Sequence, residues 1–245
     1  MKLSIVGIMA AIAGAAAVAA QDPAPGSLKT SLNVGLSLAE GNSKNRVANL
    51  ALLTEGEKPR LGSVRAGLEG NYGEARVGDA RETTVENARA FANARKTLNE
   101  RTFAYADGAV LHDDIADIAY RATLGPGAGV YLIKNDATSL SAETGLSYVW
   151  EKVAGTRDDF IALRLAESFT RQLSATAKLW QSLEALPRVE DLGNYLLKAE
   201  IGIEAAINTR LSLRIAIQDQ YDSDPAPDAE KNDVSLVAGI SFRWP

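Results

Sequence analysis

From Leu28 to Leu38 the chain alternates in a way that few folds tolerate. Leu28, Thr30, Leu32, Val34, Leu36 and Leu38 form one set, and Lys29, Ser31, Asn33, Gly35 and Ser37 lie between them. A side-chain period of two with one apolar and one polar face marks a two-faced β-strand. The pattern returns in segment after segment to the last residues. A cysteine-free chain of such strands behind an export signal has few stable homes, and the outer membrane of a Gram-negative bacterium suits it best.

The export signal is read over Met1 to Ala20. Lys2 supplies a positive n-region, Ile5 to Ala17 an apolar stretch, and Val18-Ala19-Ala20 a small-residue cleavage site before Gln21. The apolar stretch is too short for a convincing membrane helix. With no cysteine after the site, a lipid-modified N-terminus is excluded. Residues 21–26 read as a short extended leader and residues 27–245 as one barrel domain. Removing Lys2 takes the formal net charge from −5 to −6. The acidic balance and the lack of basic clusters argue against nucleic acid as a partner. No run is long and apolar enough to cross a membrane as a helix. The 46% hydrophobic content is ordinary because alternation spreads apolar residues evenly.

Twelve strands are expected, with cores Leu28–Leu38, Arg46–Leu53, Ser63–Tyr72, Val85–Arg95, Thr102–Leu111, Tyr120–Ile133, Ser139–Trp150, Phe160–Phe169, Ala177–Pro187, Tyr195–Ala206, Leu211–Tyr221 and Val234–Trp244. Short connections with turn residues, such as Leu98–Arg101, Lys134–Ala137, Leu173–Ala175 and Asn208–Arg210, alternate with longer or more acidic ones. The longer set is Gly73–Thr83, His112–Ala119, Glu151–Asp159, Arg188–Asn194 and Asp222–Asp233. Short inner turns and long outer loops are the habit of an antiparallel up-and-down transmembrane barrel. Thr54–Leu61 is an expected turn that reads as slightly long. Helix is the rival at Val85–Arg95 and Phe160–Leu186, which hold many good helix formers. Strict alternation of Asn87, Arg89, Asn93 and Arg95 with Ala88, Ala90, Ala92 and Ala94 overrules it.

A lipocalin-like barrel turns its apolar face inward and a membrane barrel turns it outward. The polar face decides between them. Lys29, Arg65, Glu69, Arg89, Arg95, Arg121, Glu143, Arg164, Lys198, Glu200, Glu204 and Arg214 share it with Asn33, Asn71, Asn87, Gln218, Arg243 and many glycines. Small residues among long charged ones suit a crowded lumen, where glycines make room. Tyr72, Tyr148, Trp150, Tyr221 and Trp244 fall on the apolar face near strand ends, as in an aromatic girdle. Glu167 and Asp219 also land on that face, so each is expected near an interface or out of register. The partners implied are outer-membrane lipid and lipopolysaccharide.

The closing stretch Val234, Leu236, Ala238, Ile240, Phe242, Trp244 resembles the C-terminal signal read by the barrel-assembly machinery, with Phe242 and Trp244 as its aromatic end and Pro245 after it. Further motifs carry a family resemblance. Leu36-Ser37-Leu38-Ala39-Glu40-Gly41-Asn42-Ser43 looks like an opening "SL-x-x-GN-[ST]" element, and Tyr120 to Tyr131 looks like "YR-x3-G-x-G-x-G-x-Y". Leu186–Asp191 with Asn194-Tyr195, and Tyr221-Asp222-Ser223-Asp224-Pro225 with Glu230-Lys231-x-Asp233, complete the set. Together they resemble the salt-induced outer-membrane protein family, a family of unknown function in Gram-negative bacteria. The resemblance implies an outer-membrane barrel and brings no established activity.

Candidate chemistry is sparse. His112 is the single histidine, followed by Asp113 and Asp114, and a surface hydrolase would need a serine beside it. The outward positions nearby, Glu86, Ala88, Ala90, Ala122 and Leu124, supply none, so no catalytic residue is assigned. Asp222, Asp224, Asp228, Glu230 and Asp233 form an acidic outer loop rich in oxygens, but without calcium-loop spacing. It reads as a solvated rim, with cation bridging to lipopolysaccharide phosphates as the alternative. No cofactor and no metal site is expected. Twelve strands lie between a filled eight-stranded barrel and an open sixteen-stranded channel. The expectation is a non-enzymatic, structural or stress-adaptive barrel with a mostly occluded lumen. The alternative is a narrow channel for small solutes, favouring anions through its inward arginines.

Overall fold

Alternation decides the secondary structure even where propensity favours helix. A computed structural model describes residues 28–39, 44–58, 62–77, 80–226 and 229–244. Its strands are β1 (Leu28–Ala39), β2 (Lys44–Lys58), β3 (Gly62–Val77), β4 (Ala80–Thr97), β5 (Thr102–Asp113), β6 (Ile118–Lys134), β7 (Thr138–Val153), β8 (Thr156–Gln172), β9 (Ala177–Pro187), β10 (Tyr195–Ala206), β11 (Leu211–Asp222) and β12 (Asn232–Trp244). Each strand pairs antiparallel with its sequence neighbours, and β12 returns to β1 from Thr30 opposite Trp244 to Gly35 opposite Gly239. The result is the closed up-and-down barrel of twelve strands that the alternation predicts. The helix rivals lie within β4, β8 and β9. The signal at residues 1–20, the leader, Gly41, Asn42, Asp228 and Pro245 lie outside the described residues.

The faces separate sharply. On β3, Leu68 is 59% exposed on the outside while its neighbour Glu69 is 6% exposed and points inward. A belt of exposed Val34, Leu36, Leu50, Leu52, Leu146, Ile201, Ile215 and Leu236 surrounds the barrel. Water disfavours an apolar surface of that extent and lipid accepts it. Tyr72, Tyr148, Trp150 and Tyr221 sit on the outer face toward one end, with Tyr195 and Tyr221 stacked at 5.5 Å. Phe169 and the edge-on pair Phe242 and Trp244 sit toward the other. Glu167 and Asp219 point outward, each two residues from a girdle aromatic, Phe169 and Tyr221 respectively. Glu167 is hydrogen-bonded there by Gln181 at 2.7 Å.

One end is closed by turns of repeated chemistry. Asn99 Oδ1 accepts from the backbone of Arg101 and Thr102, Asn135 from Ala137 and Thr138, and Asn208 from Arg210 and Leu211. Ser174 Oγ does the same for Thr176 and Ala177. A short polar side chain that bonds its own backbone two and three residues on makes each reversal locally self-sufficient.

At the opposite end the expected long loops are mostly strand. Gly73–Thr83 continues the β3–β4 ladder, leaving 78–79 between the strands, with a register shift at Gly73/Glu74. Glu151–Asp159 is a two-residue hairpin at Ala154 (φ 48°) and Gly155 (φ 76°), the left-handed pair that strand twist favours. His112–Ala119 shrinks to 114–117, and Thr54–Leu61 at the turn end to 59–61. The reason is shared: polar hairpins that overhang the apolar belt keep their ladder hydrogen bonds. Substantial loops occur at 188–194 and 223–231.

Candidate functional site

Inside the barrel, aromatic rings lie flat against the wall because the strand beside each carries a glycine. Phe91 faces Gly67, Phe103 faces Gly129, Tyr105 faces Gly127 and Trp180 faces Gly202, each as a direct cross-strand partner. A Cβ at any of these glycines would run into the ring it faces. An arginine covers each ring from the lumen: Arg89 over Phe91 at 4.7 Å, Arg95 over Phe103 at 5.0 Å, Arg164 over Tyr105 at 5.0 Å and Arg214 over Trp180 at 4.2 Å. Carboxylates then fix the arginines. Glu69 holds Arg89 at 3.3 Å, Glu143 holds Arg95 at 2.6 Å and Arg164 at 2.9 Å, and Glu200 holds Arg214 at 2.9 Å. Glu200 also accepts from Trp180 Nε1 at 2.6 Å. The repeated stack of glycine, ring, guanidinium and carboxylate lets long charged side chains enter a small lumen with their donors engaged.

Arg164 is the centre of this network, with Glu184 at 2.7 Å and Asp107 at 3.2 Å besides Glu143. Nearer the turns, Glu204 is shared by Lys178 at 3.6 Å and Arg243 at 3.3 Å, and Arg65 lies 3.8 Å from Glu55. The inward arginines are therefore matched by carboxylates. Lys198 points inward opposite Glu184, and Lys29 lies at the turn-end rim opposite Glu55.

Buried polar and apolar side chains crowd the loop end of the lumen. Asn49, Asn71, Asn87 and Asp113 run across β2 to β5 as one ladder, at 2.6, 2.7 and 3.4 Å. Each buried amide thereby meets a partner on the next strand. On β7 to β9, Val149, Phe160, Ala162 and Leu186 pack together, with the Arg188 guanidinium 3.8 Å over Phe160. Val85, Leu111 and Ile118 are buried as well. Through this layer runs Arg121. Its Nε bonds Glu151 on the neighbouring β7, and its Nη2 reaches Asp222 at the end of β11 at 3.1 Å. With β7 to β10 between β6 and β11, the contact spans the barrel from wall to wall. A cavity of about 1220 Å³ lies among Arg65, Arg89, Asp107, Glu143 and Arg164, reaches the turns at Arg101 and Asp136, and extends up to Lys198, Gln218 and Gln220 beneath the loop end.

Among the described residues the acidic loop does not gather its oxygens into a metal site. Asp222 is engaged by Arg121, Asp224 accepts from Asn194 Nδ2 at 3.5 Å, Asp233 lies opposite Gln220 on the inner face, and Glu230 is exposed. Among the described residues no cluster of three or more His, Asp or Glu side chains could hold a metal ion. His112 Nδ1 meets the Ala119 carbonyl at 2.9 Å and Nε2 meets Asp114 at 3.3 Å. No hydroxyl joins that pair.

Sequence reasoning passed over Glu55, Asp107, Glu151, Lys178 and Glu184, and the inward rings Phe91, Phe103, Tyr105 and Trp180. A readable signal existed for two of the rings. Gly127 and Gly129 empty one wall at a spacing of two, and Phe103 and Tyr105 carry the same spacing on the strand before.

Solved structures of similar fold include a porin and an autotransporter translocator domain. The NanC porin, in a rhombohedral crystal form, is 10% identical, covering 88% of this chain and 99% of its own, with a TM-score of 0.53. The translocator domain of autotransporter NalP from Neisseria meningitidis is 14% identical, covering 89% of this chain and 87% of its own, with a TM-score of 0.50. At such identities the likeness is one of fold. No curated protein matches the sequence. A family model described as protein of unknown function, DUF481, matches residues 32–244.

Proposed function

Since the chain belongs to the DUF481 family of proteins of unknown function, its role has to be read from the barrel itself, and we propose a closed, non-enzymatic structural barrel of the Gram-negative outer membrane. Its turn end faces the periplasm and its loop end the outside, and the polypeptide is exported with a cleaved N-terminal signal. The observation that carries the reading is the wall-to-wall contact of Arg121 with Glu151 and Asp222, set in a packed layer. A lumen barred in this way passes no solute while the bar holds.

A role in salt or osmotic stress is part of the proposal. Exposed ion pairs lose strength as salt rises, because the Debye length falls from about 8 Å at physiological ionic strength to about 3 Å at 1 M. Pairs such as Arg95–Glu143 and Arg89–Glu69, whose carboxylates are almost fully buried, are shielded from that screening. A barrel braced from inside keeps its shape when the medium becomes concentrated.

A narrow channel is the second reading, favoured by the cavity behind the bar. Planar-bilayer recording of refolded protein separates the two. Absence of conductance steps is expected, and regular steps from the unaltered protein would replace the closed barrel with a channel.

A further inference from the structure

The two-residue hairpin joining β7 to β8 places two cations face to face. Lys152 on β7 is the direct cross-strand partner of Arg157 on β8. Like charges in that position repel and weaken the ladder, so a hairpin that keeps them calls for a compensating anion. Of the acids around it, Glu151 pairs with Arg121 and Asp158 with Arg188 at 2.7 Å, Asp159 accepts from the Tyr148 hydroxyl, and Asp117 meets the hairpin only through its carbonyl to the Ala154 amide. Among the described residues neither Lys152 nor Arg157 forms an ion pair within 4.0 Å of a carboxylate.

Their height and direction identify what could meet them. Glu151 and Phe160 point inward and are buried, so by alternation Lys152 and Arg157 point outward. They stand one outward row beyond Trp150, the girdle aromatic that marks the edge of the apolar belt. Tyr120 on β6 continues the row as the direct partner of Lys152. A phenol, an ammonium and a guanidinium thus follow one another on three adjacent strands at headgroup level. Arginine offers a planar fork that matches two phosphate oxygens, and lysine adds a compact charge beside it.

We propose that Tyr120, Lys152 and Arg157 form a docking site for a phosphate group of the outer-leaflet glycolipid, the lipid phosphate acting as the counter-ion that the hairpin lacks. The site rests on the reading that the loop end faces outward, and is independent of whether the lumen conducts.

The test uses the full-length refolded barrel in micelles, with thermal unfolding followed by gel mobility. Phosphorylated lipid A at tenfold excess over its Kd raises the midpoint by about 4 °C. Dephosphorylated lipid A and inorganic phosphate leave it in place. The double variant Lys152→Gln/Arg157→Gln loses the lipid-dependent rise, yet unfolds no earlier than the parent when lipid is absent, because repulsion has been removed. An equal rise in the double variant, or an equal rise with dephosphorylated lipid, overturns the proposal, and so does an equal rise with free phosphate. Bilayer conductance, which tests the closed-barrel reading, is unaffected by any of these outcomes.

Discussion

Arg121 and Asp222 lie 101 positions apart in the chain and meet at 3.1 Å across the inside of the barrel. The contact joins the start of the glycine-rich β6 to the hinge between β11 and the long loop at 223–231. That loop is itself tied back, through Ser223 Oγ to the Tyr195 amide at 2.7 Å and Lys231 Nζ to the Ser223 carbonyl at 2.8 Å. At the loop end a side chain and a loop are thus held together from opposite walls.

Arg121→Ala leaves the buried Glu151 without its partner. The expected cost is about 3 kcal/mol, read as a lower denaturant midpoint in micelles. Conductance steps in planar bilayers are expected to appear as the bar is removed. A variant as stable and as silent as the parent would show that the packed layer alone seals the lumen.

Gly202→Ala sets a methyl group into the Trp180 ring. Overpacking of this kind costs about 1–3 kcal/mol. Tryptophan fluorescence and the unfolding midpoint measure it, and Trp180→Leu in the same chain is expected to recover most of the loss. Without recovery, the glycine would matter for backbone approach, Ile215 carbonyl included, rather than for the ring.

Asn71→Leu cuts the amide ladder in the middle. The Asn49 donor and the Asn87 acceptor both lose a partner in a dry layer, at about 1–3 kcal/mol for each group left unsatisfied. The unfolding midpoint in micelles reads the loss, and an unchanged midpoint would mean that water fills the gap.

Leu68→Arg places a charge on the apolar belt, where about 2–4 kcal/mol is the cost near the bilayer midplane. Folding yield into vesicles measures it, with the loss smallest in the thinnest bilayers. Efficient folding of this variant would remove the lipid-facing assignment of that surface.

His112→Ala is expected to leave stability unchanged, since the ring is half exposed and bonded to a backbone carbonyl and Asp114. Lipid and peptide hydrolysis assays on parent and variant should both read zero. Activity lost on substitution would make the barrel an enzyme.

Strand number and closure were legible because alternation is a local signal repeated twelve times. Connection lengths were not. Glu74, Arg81 and Arg157 are the composition of a loop, yet they continue a ladder whose hydrogen bonds cost nothing to extend into water. The inner face was legible as charged but not as layered. Val85, Val149 and Phe160 sit on the inward parity and read from sequence as strand-end apolar residues, whereas they pack the loop-end lumen. Glycines were read as space for arginines. They seat rings, and the arginines lie on the rings.

Thr30 stands opposite Trp244, so β1, the first of the described strands, receives its second neighbour only from β12, the last of them. Until β12 docks, one edge of β1 stays unsatisfied in the assembling sheet. Loss of a few terminal residues would therefore leave two raw edges where the cylinder should shut, and an open sheet in place of a slightly smaller barrel.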